Sequence, residues 1–288
     1  MDSQRPGKFI VIEGTDGSGK GTQFKLLKER LEAEGHEVET FDFPQYEQPS
    51  SHFVREYLNG KYGEANEVGP YTASLFYALD RFEAAAKIKQ ALDEGKVVLS
   101  NRFTASNMAH QGTKFDHIEE RRGYFIWLDN LEFMMLKVPR PNMNFVLRVP
   151  ADIAQGLVDQ KDARSYTDRK RDIHEADLQH LEKSVQVYDD LCSLFPQDFQ
   201  RIDCVRGGKL LSIEDIQKIV WEKVSAMVPK PDKKKPTKAT TKKAANPYVT
   251  KTDKGYEVTK AGSEFLKEAV TNSESNVYGF SDKLSPVT

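Results

Sequence analysis

From Gly14 to Thr22 the chain reads GTDGSGKGT, directly after the apolar run FIVIE. Gly14, Gly17 and Gly19 let the backbone curl until successive N–H groups converge, and Lys20 follows where an ammonium can reach the outer oxygens of a bound polyphosphate. The chemistry this implies is phosphate binding. The pattern G-x-x-x-x-G-K-[ST] is met at every position but the last, where Gly21 replaces the hydroxyl residue and Thr22 comes one place later. Gly21 removes the usual direct magnesium ligand. Asp16 and Ser18 complete the loop.

Four further clusters carry reactive or recognising groups. VVLSNRFTASN ends an apolar strand on Asn101-Arg102, an amide and a guanidinium where phosphate chemistry calls for a carboxylate. An amide can orient water through its carbonyl oxygen but contributes no charge. FPQYE offers Phe43, Pro44 and Tyr46, and LFYALDRFE places Arg81 one helical turn beyond Tyr77. A flat base needs an aromatic face and a few fixed polar groups, whereas a phosphate suits a bidentate guanidinium. On periodicity alone Tyr77, among Leu75, Phe76 and Leu79, fits a core aromatic equally well, and Arg81 fits a surface ion pair. Last comes DQKDARSYTDRKRDIHEAD, whose Arg164, Arg169 and Arg171 read either as a solvated charged loop or as cations facing a ligand.

These residues need a frame. Strand-length apolar runs at Phe9 to Glu13, Val38 to Asp42, Val97 to Ser100, Phe145 to Val149 and Gln200 to Cys204 alternate with periodic segments. Those segments, at Gly19 to Glu34, Tyr71 to Glu94, His117 to Met135, Arg171 to Leu194 and Ser212 to Met227, predict helices. The alternation is that of an α/β fold, a five-stranded parallel sheet wrapped by helices. One domain over 1–228 accounts for it. Residues 229–247 mix Lys, Pro, Thr and Ala and read as a linker. Residues 248–288 form a small extension, with a hairpin expected at Tyr248 to Val258 and a short helix at Ala261 to Ala269.

The 288 residues carry a formal net charge of −2, and Lys233, Lys234, Lys235, Lys238, Lys242 and Lys243 crowd the linker, so the body is more acidic than the total. The basic stretch lacks interleaved aromatics and reads as a linker before a nucleic-acid contact. Two cysteines, Cys192 and Cys204, form no disulfide framework or zinc pattern, which suits a reducing compartment. No run of about 18 apolar residues occurs and the N-terminus has no apolar signal core, so a cytoplasmic protein without a membrane span is expected.

In the order IEGTDGSGKGTQ, FPQYE, LFYALDRFE, SNRFTASNMAHQG and an Arg-rich segment, the chain resembles thymidylate kinases, P-loop nucleoside monophosphate kinases, from Phe9 to about Val228. The resemblance implies transfer of a phosphoryl group from MgATP to dTMP, giving dTDP and ADP, by a homodimer. It implies that Gly14, Asp16, Gly17, Ser18, Gly19, Lys20, Gly21 and Thr22 hold ATP and that Asp16 meets the acceptor's 3′-hydroxyl or organises the phosphates. Phe43, Tyr46 and His110 would line the acceptor pocket, Tyr77 would stack on thymine, Arg81 would reach a base carbonyl and Asn107 would pair with the base edge. Lys20, Arg102 and one of Arg164, Arg169 and Arg171 in a mobile lid would carry the catalysis.

Four positions depart from the family pattern. Asp42 and Gln45 flank Phe-Pro where the family often has Arg, His110 stands in place of a tyrosine, and Asn101 replaces the aspartate of an Asp-Arg-Tyr motif, leaving Asn101 and Asp16 as the groups near the metal's water. Two other readings stay open. A deoxynucleoside kinase would prefer thymidine to dTMP, and a nucleotide-binding regulator would bind without turnover.

Overall fold

The computed structural model describes residues 6–64, 67–158 and 178–229, together with the backbone of two strands at 249–252 and 255–258. The chain divides into two units, 1–231 and 232–288.

In the first unit, five strands form one parallel sheet. They are β1 (Lys8–Glu13), β2 (Val38–Asp42), β3 (Val97–Asn101), β4 (Met143–Arg148) and β5 (Phe199–Asp203), in the spatial order β2-β3-β1-β4-β5. The central strands read as unbroken apolar runs because helices cover both faces, so KFIVIE and VVLSN bury nearly every residue. On one face Ile10, Ile12, Leu99 and Phe145 pack with Leu27 and Leu31 of α1 (Lys20–Ala33) and with Val220 and Val224 of a C-terminal helix. On the other, Phe9, Val11 and Val98 meet Phe41, Phe103 and Ile88.

The remaining helices are α2 (His52–Leu58), α3 (Pro70–Asp93), α4 (Thr104–Gly112), α5 (Ile118–Asp129), α6 (Ala151–Val158), α7 (Leu178–Leu194) and α8 (Ile213–Met227). Helix α8 shows why its sequence folds this way. Ser212 accepts a hydrogen bond from the Asp215 amide at 3.1 Å, acidic Glu214 and Asp215 favour the positive helix end, and Ile216, Val220 and Val224 form one buried face. Two antiparallel pieces complete the described elements, β6 (Val205–Arg206) with β7 (Lys209–Leu210) in the first unit and β8 (Val249–Thr252) with β9 (Gly255–Val258) in the second.

The expected sheet and long helices are present, with three differences. Helices α2, α4 and α6 were not expected; α4 is short, and its apolar face is only Ala105, Met108 and Ala109 among buried polar residues. The segment expected as one helix from His117 to Met135 is α-helical only to Asp129 and continues as a π turn over Asn130–Met135. The expected helix from Arg171 is described only from Leu178, and the helix expected at Ala261 to Ala269 lies outside the described residues.

Because the connection leaves β1 towards β2 and β3 on one side and later crosses to β4 on the other, the chain reverses direction at the carboxyl end of β1. In open α/β sheets such a reversal opens the crevice where ligands bind. The glycine-rich loop begins there.

Candidate active site

The loop after β1 is built by glycine geometry. Gly17 has φ of 80°, and a Cβ there would lie 2.0 Å from the Ala154 carbonyl oxygen of α6, so neither the backbone angle nor the space admits a side chain. Helix α1 starts at Lys20 with no side-chain cap on Gly19, which leaves its first amides directed into the loop. Lys20 is buried; its Nζ donates to the Thr15 carbonyl at 2.7 Å and stands 3.9 Å from Asp16. Thr15 Oγ1 and Ser18 Oγ are buried without a hydrogen-bond partner. Orphaned hydroxyls beside a lysine and free helix amides fit the phosphates of a nucleotide. Gly21 and Thr22 are exposed on the first turn.

Beside the loop lies a cleft of about 600 Å³, open mouth included. All eight residues expected to bind the acceptor line it: Asp16, Phe43, Tyr46, Tyr77, Arg81, Arg102, Asn107 and His110. They come from the loop, the segment after β2, helix α3 and the β3–α4 segment. The sheet and its crossovers bring together groups up to 94 positions apart in sequence, from Asp16 to His110.

Arg102 sits at the junction. It adopts φ of 64°, a left-handed conformation uncommon for a residue with a side chain, and its amide donates to the Ile12 carbonyl at 3.0 Å. Its Nη2 donates to Asp16, and its Nη1 lies 3.3 Å from Ser106 Oγ and 3.4 Å from His110 Nε2. Burial opposes its charge, but Asp16 foremost, with Tyr188, Glu13 and Tyr46, more than offsets this, and its pKa is raised. Arg102 therefore stays a cation in the cleft.

The pocket end holds the recognition groups. Phe43 packs edge-on to Phe103 at 5.4 Å. Tyr77 is half-buried, meets Tyr57 edge-on at 6.3 Å and turns the rest of its surface into the cleft, so it serves the core and the cleft together. Arg81 is not the surface ion-pair residue that its sequence neighbourhood allows. It is buried and paired with Glu132; burial disfavours its charge, the carboxylate of Glu132 favours it, and the net pKa is raised.

Four supporting residues are not among the site residues expected from the sequence. Glu132 is one. Asp80 accepts from the Gln45 amide at 2.7 Å and from Ser50 Oγ at 2.5 Å, tethering the segment that holds Phe43 and Tyr46. Glu13 is fully buried and accepts from the Phe103 amide, Ser106 Oγ and Tyr188 Oη at 2.7, 2.6 and 3.0 Å. Desolvation raises its pKa against the lowering effect of those donors and of Arg102. His180 of α7 completes the set, its Nε2 3.3 Å from His110 Nδ1 with the rings stacked. An unusual clue was available for two of them: Glu132 interrupts the apolar run LEFMML, and Asp80 interrupts LFYALDRFE.

Asn101, at the end of β3, donates from Nδ2 to Asp42 Oδ1 at 2.9 Å, while its own Oδ1 is buried and unpartnered. Arg164, Arg169 and Arg171 lie outside the described residues. Among the described residues no cluster of three or more His, Cys, Asp or Glu forms a metal site. No described helix is long and apolar enough to cross a membrane.

Comparison with known proteins agrees with this geometry. A family model described as thymidylate kinase matches residues 12–211. Thymidylate kinases from Mycobacterium tuberculosis and Pelotomaculum thermopropionicum are 32% and 35% identical over 187 and 227 residues, covering 64% and 77% of this chain and 86% and 96% of theirs. A solved thymidylate kinase from Candida albicans superposes with a TM-score of 0.59 at 22% identity, over 77% of this chain and 92% of that one, and so shares the fold. The P-loop, the cleft and the match across most of the first unit place the chain in the thymidylate kinase family.

Proposed function

We propose that this protein transfers the γ-phosphoryl group of ATP to the 5′-phosphate of dTMP, releasing ADP and dTDP. The observation that carries the reading is Arg102, a half-buried cation set between the phosphate loop and a pocket lined by Tyr77, Arg81 and Asn107. A phosphate gripped by Arg102 faces the loop, and the base attached to it reaches the aromatic and amide groups beyond.

In this reading Lys20 and the loop amides hold the donor phosphates, and Arg102 aligns the acceptor. An acceptor phosphate oxygen forms the new bond to the γ-phosphorus, and the bond from that phosphorus to the β–γ bridging oxygen breaks. Catalysis is positioning and charge stabilisation. One of Arg164, Arg169 and Arg171 supplies a further cation to the transferring phosphoryl group.

The residues fit Mg²⁺ brought with ATP. Asn101 Oδ1 is an orphaned buried oxygen, Asp42 supplies a carboxylate beside it, and Asp16 adds another at the loop, which suits a metal's water shell. When bound, magnesium neutralises charge on the donor phosphates. This chain's contribution is to orient the surrounding waters.

We take 1–228 as the catalytic domain, 229–247 as a linker and 248–288 as an extension. A homodimer is the further proposal on partners: Leu75, Leu79 and Phe82 recur at helical spacing on α3 and are 40%, 47% and 49% exposed.

The test is ADP production from MgATP with dTMP, dUMP, UMP, CMP, AMP and thymidine in parallel, beside a control lacking acceptor. Turnover greatest with dTMP and little in the control is expected. Preference for thymidine would indicate a nucleoside kinase, and binding without turnover would indicate a regulator.

A further inference from the structure

Arg81 and Glu132 are 2% and 0% exposed. Arg81 Nε donates to Glu132 Oε2 and Nη2 donates to Oε1, each at 2.6 Å, and Thr104 Oγ1 donates to Oε2 at 3.0 Å. A buried ion pair is seldom a better stabiliser than apolar packing of the same volume. Its position in the wall of the cleft suggests a different role.

The local backbone is adapted to make this pair. In the π turn, the Leu136 amide reaches back five residues to the Leu131 carbonyl at 2.9 Å. The wider turn shifts the helical phase, so that Glu132 points inward while Met134 and Met135 remain 59% and 73% exposed.

Glu132 thereby engages two of Arg81's three nitrogens and fixes the plane of the guanidinium. Nη1 makes no hydrogen bond among the described residues, and Arg81 lines the cleft. Asn107 presents the opposite polarity. Its Nδ2 donates to the Ser74 carbonyl at 3.2 Å, and because that carbonyl can only accept, the amide's orientation is set. Its Oδ1 is left buried and unpartnered in the same cleft.

We propose that Glu132 is a positioning residue for base selection: by locking Arg81 beside Asn107 it creates a donor–acceptor pair that admits a 4-keto pyrimidine and rejects its 4-amino counterpart. A 4-keto base presents a carbonyl oxygen next to a ring N–H, matching Arg81 and then Asn107. A 4-amino base presents an amino donor next to a bare ring nitrogen, so both contacts fail. Sites that hydrogen-bond a substrate group in this way discriminate by up to about 10⁴-fold or more, because a mismatch strands buried polar groups.

This inference rests on the proposed acceptor, and its test separates the two. Binding of dTMP and of 5-methyl-dCMP, which differ in the keto and amino forms of the same ring, would be measured by calorimetry for the wild type and for Glu132→Gln. Glutamine keeps the volume but turns an N–H₂ towards one of Arg81's donors. The wild type is expected to favour dTMP by on the order of a hundredfold or more, and E132Q to lose about tenfold or more of that preference. In turnover the change should fall on the acceptor KM, with kcat and the KM for ATP little altered. A variant that melts earlier but keeps the wild-type ratio would make Glu132 purely structural and overturn the proposal, as would a wild type with no preference. The binding ratio needs no turnover, so an inactive wild type would end the kinase reading while the ratio still decided this one. Should E132Q fail to fold, Thr104→Val removes only the hydroxyl donated to Glu132. It should lower the same ratio by a smaller factor, and an unchanged ratio there would also refute the role.

Discussion

Asn101 and Asp42 stand side by side at the ends of neighbouring parallel strands, joined by a hydrogen bond of 2.9 Å from Nδ2 to Oδ1. The carboxylate that the family pattern would place at 101 is therefore present one strand away. Asp42, read from sequence only as a missing arginine, accepts from Asn101 Nδ2, and Asn101 keeps an oxygen, Oδ1, without a partner.

This arrangement predicts a reciprocal exchange. Asp42→Asn should weaken Mn²⁺ binding in the presence of ADP by about tenfold or more, the usual scale for groups that orient metal ligands. Adding Asn101→Asp to it should recover most of the loss. Paramagnetic resonance titration of Mn²⁺ would measure both. Unchanged affinity in the single variant would rule out Asp42 as the charge that replaces the aspartate.

Arg102→Lys should keep the charge but lose the planar fork that reaches Asp16, Ser106 and His110 together. We expect kcat/KM for dTMP to fall by about a hundredfold or more, since misaligning a phosphate affects both positioning and charge stabilisation. The KM for ATP should change little. Steady-state kinetics in which both substrates are varied would check this, and full activity would remove Arg102 from the acceptor site.

On the exposed face of α3, Leu79→Glu should convert a dimer into monomers without loss of secondary structure, because Leu79 is 47% exposed in the isolated chain and a charge there costs nothing to the core. Light scattering after size exclusion would read the mass. A wild type that is itself a monomer would refute the dimer, and a dimer that survives the substitution would place its interface elsewhere.

The sheet and the glycine-rich loop were legible because each is written locally. A buried parallel strand needs an apolar run, and a phosphate loop needs glycines and a lysine at fixed spacing. Helix α4 was not, since it is only nine residues long and its apolar face is just Ala105, Met108 and Ala109, while the polar Thr104, Ser106, Asn107 and Gln111 are buried as well. The lining residues could be listed from motifs, but their supports could not. Glu132 reaches Arg81 across 51 positions and Asp42 meets Asn101 across 59, separations that only the strand register and the packed helices close. The π turn compounds the difficulty, because it shifts the helical period that a sequence reading assumes.

Lys114 offers a test in pH. Its Nζ donates to the Val68 carbonyl at 2.6 Å and lies 5.7 Å over the Tyr57 ring, yet desolvation dominates and lowers its pKa from 10.5 to about 8. Between about pH 8 and 10.5 the unfolded chain keeps a proton that the folded protein has released, so this group's contribution to stability rises with pH through that window. Cys192 and Cys204 act in the opposite sense, because burial raises each thiol to about 12 and the unfolded chain ionises first. The comparison must therefore be between proteins at each pH. Lys114→Met removes one term and leaves the thiols in place. Urea midpoints measured from pH 7 to 10 should show the variant losing ground to the wild type as pH rises. A difference that stays constant would mean that Lys114 keeps its proton across the window and that the Val68 carbonyl and the Tyr57 ring outweigh desolvation.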